Sequence, residues 1–300
     1  KLGYEWKFIP LTHKNEKKYL KSNHYKKYLD YCETFCSVPH IQGLSTIKYL
    51  KDIKWIEDDA IFINGNSGDF ISGGHLNSNI KNSFETDNMN LREEIILDEL
   101  IDKHFSLWGY LKTKQNTQKL KNILLKEITK VCGNPQKKHS DHLLYEYSEF
   151  IDRQSKFVIT GQRAYEYYGH DWALPLWDDE YLYFWQKVPL DFKFKQKLYS
   201  EMLKKKNFGN VWGKDIPVNK KTITPKWIIP LRFICKIPFG IFGKRGKKAW
   251  KQFDINFFSF FIDVTHMMDT QNYLKVIKDF FKKPRNAYSW LAENYLSKFK

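Results

Sequence analysis

Ala60-Ile61-Phe62-Ile63-Asn64-Gly65-Asn66-Ser67-Gly68-Asp69-Phe70-Ile71-Ser72-Gly73-Gly74-His75 is the stretch on which the reading of this chain turns. An apolar run enters a glycine-rich turn that carries one carboxylate. A strand ending in such a turn opens its backbone N–H groups, and oriented N–H groups attract phosphate. Gly65, Gly68, Gly73 and Gly74 lack the Cβ atoms that would hold a ligand away from the main chain. Asp69 is the kind of group that holds Mg²⁺, an ion satisfied by one or two carboxylates plus phosphate oxygens. The alternative is a turn whose glycines supply positive φ and whose Asp caps the next segment.

On either side of this stretch the chain alternates. Residues 4–10 read as a short strand closed by Pro10, residues 15–31 as a Lys-rich helix, residues 44–50 as a short helix and residues 59–64 as a buried strand. Strand, helix, strand argues for an α/β layered sheet. Residues 78–90 are polar and Asn-rich, hence loop. Residues 91–105 form an amphipathic helix with Leu91, Ile95, Leu97, Leu100 and Ile101 on its apolar side. Residues 118–131 form another, stopped by Gly133 and Pro135. Residues 141–168 are helical, followed by a loop through residues 169–178 and by helices over 179–186 and 193–206. The composition shifts past about residue 208, where Gly, Pro, Lys and large apolar residues mix without a clean period. Residues 273–282 and 286–298 read as two last helices. The predicted organisation is therefore a body over residues 1–207 and a helical, basic and aromatic extension over 208–300. That extension is either a cap on the body or a patch for a headgroup layer, where basic residues beside Trp and Phe sit well.

Bulk properties narrow the classes. A hydrophobic share of 42% over 300 residues supports a real core and excludes global disorder. Fifty Lys and Arg against 34 Asp and Glu leave a net charge of +16, a field that draws phosphates, nucleic acid or an anionic membrane face. Cys32, Cys36, Cys132 and Cys235 are too few for a disulfide scaffold, and no second Cys or His pair completes a tetrahedral zinc site. A reducing, cytoplasmic location is expected. No run of 18 or more apolar residues occurs; residues 227–242 come nearest and are broken by Arg232, Lys236, Pro230 and Pro238.

Three segments, in this order, resemble the synthetase domain of asparagine synthetases and related ATP pyrophosphatases. Gly65-Asn66-Ser67-Gly68-Asp69-Phe70-Ile71-Ser72-Gly73-Gly74-His75 resembles the family's G-E-G-x-D-E-L-F-G-G-Y turn. Asp171-Trp172-Ala173-Leu174-Pro175-Leu176-Trp177-Asp178 resembles its E-x-R-x-P-F-L-D loop, followed by a helix and Val188-Pro189-Leu190. Lys197-Leu198-Tyr199-Ser200-Glu201 stands at the place of its K-x-x-L-R helix. The likeness covers roughly residues 1–203. Within the group the chain is most similar to the asparagine-synthase-like proteins of bacterial surface-polysaccharide clusters, on the run Arg153-Gln154-Ser155-Lys156-Phe157.

The resemblance implies a truncated Rossmann-like sheet of the adenine nucleotide alpha-hydrolase kind, with a large, mostly helical C-terminal part. It also implies a reaction that uses ATP and Mg²⁺. A carboxylate attacks the α-phosphate of ATP, and ammonia or an amine then displaces AMP from the acyl-adenylate to leave an amide. Gly65, Asn66, Ser67, Gly68 and Asp69 would bind the nucleotide, Asp69 would hold Mg²⁺, Lys197 would neutralise the leaving pyrophosphate, and Asp171 would orient the amine or take its proton. Without the resemblance, Lys197 reads as part of a solvated face with Lys193 and Lys195, Asp171 as a loop cap, and Asp178 as a helix cap. His40, His75 and His170 read as satisfied surface or core residues.

The pattern is departed from in places. The S-G-G-x-D-S pyrophosphate loop is missing and is expected upstream of Lys1, so the chain reads as N-terminally truncated. Asn66 and Phe70 replace acidic residues, and Ala173 replaces the Arg of the second motif. These losses suit a carboxylate other than aspartate, with nitrogen drawn from solution or from a separate glutaminase. Two other readings stay open. One is an RNA-modifying ATP pyrophosphatase, which the absence of an RNA-binding module and of a well-placed Cys argues against. The other is a non-catalytic basic protein that kept the fold, with peripheral membrane contact through the tail.

Overall fold

In the computed structural model, residues 2–32, 36–133, 141–212, 225–262, 267–279 and 282–299 are described. The chain is mostly helical with a two-stranded parallel sheet. Its helices begin with α1 (His13–Leu20), α2 (Asn23–Tyr31) and α3 (Leu44–Asp52), followed by β1 (Phe62–Ile63), α4 (Gly68–Ile71), α5 (Ser78–Ser83), α6 (Met89–Leu100), α7 (Lys114–Cys132), α8 (Asp141–Glu149) and α9 (Arg163–Tyr167). Then come β2 (Trp172–Ala173), α10 (Asp179–Lys187), α11 (Leu190–Lys193), α12 (Lys197–Lys206), α13 (Ile228–Gly240), α14 (Gly243–Ile262), α15 (Tyr273–Asp279) and α16 (Ala287–Leu296).

Local chemistry explains seven of the helix starts and one stop. Thr12, Ser22, Asn77, Asn88, Thr113, Asp178 and Asn286 each accept a hydrogen bond from a backbone N–H of the helix they start. Gly133 ends α7 with a φ of 72°. The expected helix over 15–31 is two helices, because the Ser22 side chain restarts the chain by capping Tyr25 N. The polar stretch 78–90 is not all loop: Asn77 caps α5, and Ile80 is fully buried. The helix over 193–206 breaks at Lys195 and Gln196, both at a φ of 56°.

Two expected strands fare differently. Residues 4–10 carry no regular structure, with Tyr4, Trp6 and Phe8 exposed and no strand paired to them among the described residues. The strand expected over 59–64 is only β1, and it is not buried: Ile61 and Ile63 are both exposed. β1 pairs in parallel with β2, Phe62 opposite Trp172 and Ile63 opposite Ala173. Two residues per strand bury little, so the packing rests on helices.

The chain forms two compact units. One comprises Lys1–Lys7, Asp58–Ser106 and Thr113–Asn219; the other comprises Phe8–Glu57, Leu107–Lys112 and Lys220–Lys300. Residues 8–57, expected within the N-terminal body, thus pack with the C-terminal helices. In the first unit, Leu76, Ile80, Ile96, Leu97, Leu100, Ile101, Leu124, Ile128, Leu144 and Tyr145 form the main core, and Phe70, Ile71, Trp185 and Val188 a second one. α6 turns Ile96, Leu97, Leu100 and Ile101 inward and leaves Leu91 exposed. In the second unit, Phe260, Met268, Val276 and Trp290 form a core. Among the described residues no helix is long and apolar enough to cross a membrane.

Candidate functional site

The glycine-rich turn follows β1 and folds back on itself. Asn64 Oδ1 accepts from Asn66 N at 2.9 Å, and Asn64 Nδ2 donates to the Tyr165 hydroxyl at 3.0 Å. Ser67 adopts a left-handed φ of 68° and buries its hydroxyl, which donates to Gln154 Oε1 at 2.7 Å. The four glycines divide by what a Cβ would meet. At Gly68 it would strike Leu176 Cδ1 at 2.3 Å, and at Gly74 the Asp69 carbonyl oxygen at 2.8 Å. At Gly73 it would lie 2.4 Å from the Lys193 carbonyl oxygen. At Gly65 it would meet nothing within 4 Å. Gly73 and Gly74 are therefore demanded by close main-chain packing, Gly68 meets only a movable Leu side chain, and Gly65 fronts open space.

These contacts join the first two quoted motifs and the segment leading into the third within one unit. Gly68 packs on Leu176 of the second motif. Gly73 and Gly74 pack on the segment entering the third, where Gln196 Nε2 also donates to Ser72 Oγ at 2.7 Å. The side chains of the expected site are nonetheless spread out. Asp69 is exposed just past the turn. Asp171 is exposed at the start of β2, where its carbonyl oxygen accepts from Phe62 N at 2.9 Å. In a parallel pair that is the end opposite the glycine-rich turn. The Lys197 ammonium lies over the Phe192 ring, 5.5 Å from its centroid. It lines an open groove with Lys81, Lys195 and Lys204, beside Asp191 and Glu201. Asp178, read as a cap, accepts from Glu180 N and Tyr181 N at 3.0 and 3.3 Å.

Three residues that the sequence does not single out, Lys103, His104 and Glu149, join Asp69 and His75 in one polar group. His75 Nε2 lies 3.2 Å from Asp69 Oδ2, and its Nδ1 2.8 Å from Glu149 Oε2. Glu149 is fully buried, and its other oxygen is 2.7 Å from both Lys103 Nζ and His104 Nε2. Lys103 and His104 lie in a π-helical turn, Ile101–Phe105, and Glu149 is the last residue before a second π-helical segment, Phe150–Val158. Wider turns of this kind recur where a side chain must be re-aimed. Burial works against a charge on Glu149, but the rings of His104 and His75 and the Lys103 ammonium outweigh it and hold the carboxyl well below the usual range. Burial likewise opposes a charge on His75, yet its bonds to Asp69 and Glu149 raise its pKa. The same His75 bond lowers that of Asp69. Burial lowers the pKa of Lys103 despite Glu149.

A second buried pair adjoins the turn. Lys193 Nζ meets Glu146 at 2.7 and 3.0 Å, on the wall of a cavity of about 320 Å³ lined also by Phe70, Ile71, Phe150 and Trp185. Burial raises the Glu146 pKa against the pull of Lys193. Burial and the Lys193 charge bring His142 down to about 4.

No family model, curated protein or solved structure matches the chain.

The donor set bears on Mg²⁺ and nucleotide. No group of three or more His, Cys, Asp or Glu arranged for a metal ion occurs among the described residues. Glu149 is already held by His75, Lys103 and His104. Asp69 remains, a single exposed carboxylate four residues after Gly65 and bonded to His75. This fits Mg²⁺ arriving with phosphate oxygens and not an ion caged by protein.

Proposed function

We propose that the chain is an ATP-dependent amide-forming synthetase built on a Rossmann-like, adenine nucleotide alpha-hydrolase-like framework. In this reaction a substrate carboxylate oxygen bonds to the α-phosphorus of ATP as the α–β phosphate bond breaks, releasing pyrophosphate. Ammonia or an amine then attacks the acyl carbon, AMP leaves with the C–O electron pair, and a proton passes from nitrogen to a base. The observation that carries the reading is that Gly68 and Gly73 of the first motif meet Leu176 of the second and Lys193 just ahead of the third, each more than a hundred residues away in sequence.

Asp69, its pKa lowered through His75, follows the open Gly65 backbone by four residues. Mg²⁺, when bound there, supplies positive charge between the carboxylate and the phosphates. Lys197, with Lys81, Lys195 and Lys204 around it, draws polyphosphate into its groove. Asp171, exposed at the end of the strand pair opposite the glycine-rich turn, takes the amine's proton in this reading. The cytoplasm is the expected location, where ATP is at hand, and surface-polysaccharide assembly is the expected setting.

The test is pyrophosphate release by the chain with ATP, Mg²⁺, ammonia and a panel of carboxylic acids, including uronic acids. Carboxylate-dependent release supports the reading. No release with any acid overturns it and leaves the non-catalytic binding protein as the better account.

A further inference from the structure

The second unit carries an apolar surface that the synthetase reading does not use. α13 lies on α14 through one side only. On that side Ile228 is fully buried, Arg232 pairs with Asp254 at 2.6 and 2.8 Å, and Phe239 packs against Trp250 and Phe253 at 5.6 and 5.3 Å between ring centroids. These residues recur at spacings of four and seven, one helical face. The helices can approach closely at their turn because Gly246 has no Cβ to collide with the Phe239 carbonyl oxygen.

The other side of α13 faces solvent and is also apolar. Ile229, Phe233, Ile234 and Ile237, with Ile241 and Phe242 just past the helix end, are all exposed, Phe233 by 69% and Ile241 by 81%. Trp227 stands at the entrance of the helix, exposed as well. A helix apolar on both faces with one face uncovered is not a stable surface in water and marks a contact site.

Charge says what covers it. Residues 216–253 contain ten Lys and Arg and no Asp or Glu. Of these, Lys226, Lys236, Lys244, Arg245, Lys247 and Lys251 are exposed on α13, on α14 and just ahead of them. A second copy would bring the same cations against them, and a protein interface core is depleted in Lys. An anionic lipid surface matches both halves: acyl chains accept the Ile and Phe side chains, headgroup phosphates accept the lysines, and Trp suits the boundary. At 13 residues, α13 is too short to span a bilayer and long enough to lie in one leaflet.

We infer that the α13–α14 hairpin is a monotopic anchor that lays the free face of α13 into an anionic membrane surface. The experiment is sedimentation of the full chain with vesicles of phosphatidylcholine alone and of phosphatidylcholine mixed with phosphatidylglycerol. The chain sediments with the mixed vesicles, less so as salt rises. The Phe233→Ser/Ile237→Ser variant loses binding by about tenfold or more while keeping the wild-type circular dichroism. If that variant misfolds, Lys236→Glu/Lys244→Glu, which leaves the apolar face intact, carries the same expectation. No sedimentation with mixed vesicles overturns the inference, as does equal sedimentation of the wild type and a folded variant. A wild-type dimer that either variant dissolves also overturns it and assigns the face to a second copy. None of these outcomes depends on pyrophosphate chemistry.

Discussion

Gly73 sits face to face with the main chain of Lys193: its φ is +92°, and a Cβ there would lie 2.4 Å from the Lys193 carbonyl oxygen. The turn and the entry to α12 are locked together by a side chain that is missing. Gly73→Ala must both hold a left-handed alanine and push backbone against backbone. It is expected to cost about 3 kcal/mol, read as a lowered urea midpoint at unchanged slope. Gly65→Ala, with ordinary φ and open space, should stay within about 0.5 kcal/mol of the wild type. If Gly65 fronts the nucleotide, that variant nevertheless slows pyrophosphate release.

Glu149 gathers His75, His104 and Lys103 around one buried carboxylate. Glu149→Gln leaves three donors facing a neutral amide and is expected to destabilise the chain by about 3 kcal/mol in chemical denaturation. His75→Gln keeps a hydrogen-bonding group and should cost about 1 kcal/mol. A Glu149→Gln variant as stable as the wild type would mean that the group is solvated and not structural.

The same group predicts a pH profile. The Glu149 pKa is lowered by folding, so its contribution is present above the ordinary glutamate value of about 4.3 and fades as pH falls below it. The His75 pKa is raised, so its contribution is full below about 6.5 and fades as pH rises through the folded value. His142 and His40, held by burial at about 4, act in the opposite sense to His75: the unfolded chain binds their protons first, and stability falls as pH drops from neutral toward 4. The difference in melting temperature between wild type and His75→Gln should shrink above neutral pH. An NMR titration placing the His75 imidazole below its ordinary value would contradict this.

Asp69 is exposed and Lys197 rests on a solvent-facing ring, so neither holds the fold together. Asp69→Asn and Lys197→Ala should each unfold within about 0.5 kcal/mol of the wild type. On the proposed reaction, Asp69→Asn lowers pyrophosphate release by about a hundredfold and raises the Mg²⁺ needed, and Lys197→Ala lowers it about tenfold. Unchanged release in both would remove these residues from the site.

Much of the local structure was legible because its causes are local. Asp178 followed by Asp179 and Glu180 announces a helix start, and Asp178 does cap α10. Gly133 announces the end of α7, and Asn286 the start of α16. The strand expected over residues 4–10 failed for a related reason: alternating aromatics favour a strand only when a neighbouring strand accepts their hydrogen bonds, and none is present among the described residues. The break at Lys195 and Gln196 carries no Gly or Pro to signal it.

The sequence by itself determined the helix caps and stops, the short apolar segment that becomes β1, and the basic, acid-free stretch around α13, but it read β2 as loop. Each depends on residues within a few positions of one another. Only the tertiary structure decided that residues 8–57 pack with the C-terminal helices, that Gly73 meets Lys193, and that Glu149 reaches His75 from 74 residues away. It also set Asp171 at the far end of the strand pair from the glycine-rich turn. The physical reason is that a hydrogen bond or a missing Cβ acts over a few ångströms, whereas periodicity and composition report only which side of an element is apolar. Which distant partner fills that side is settled by packing the whole chain at once.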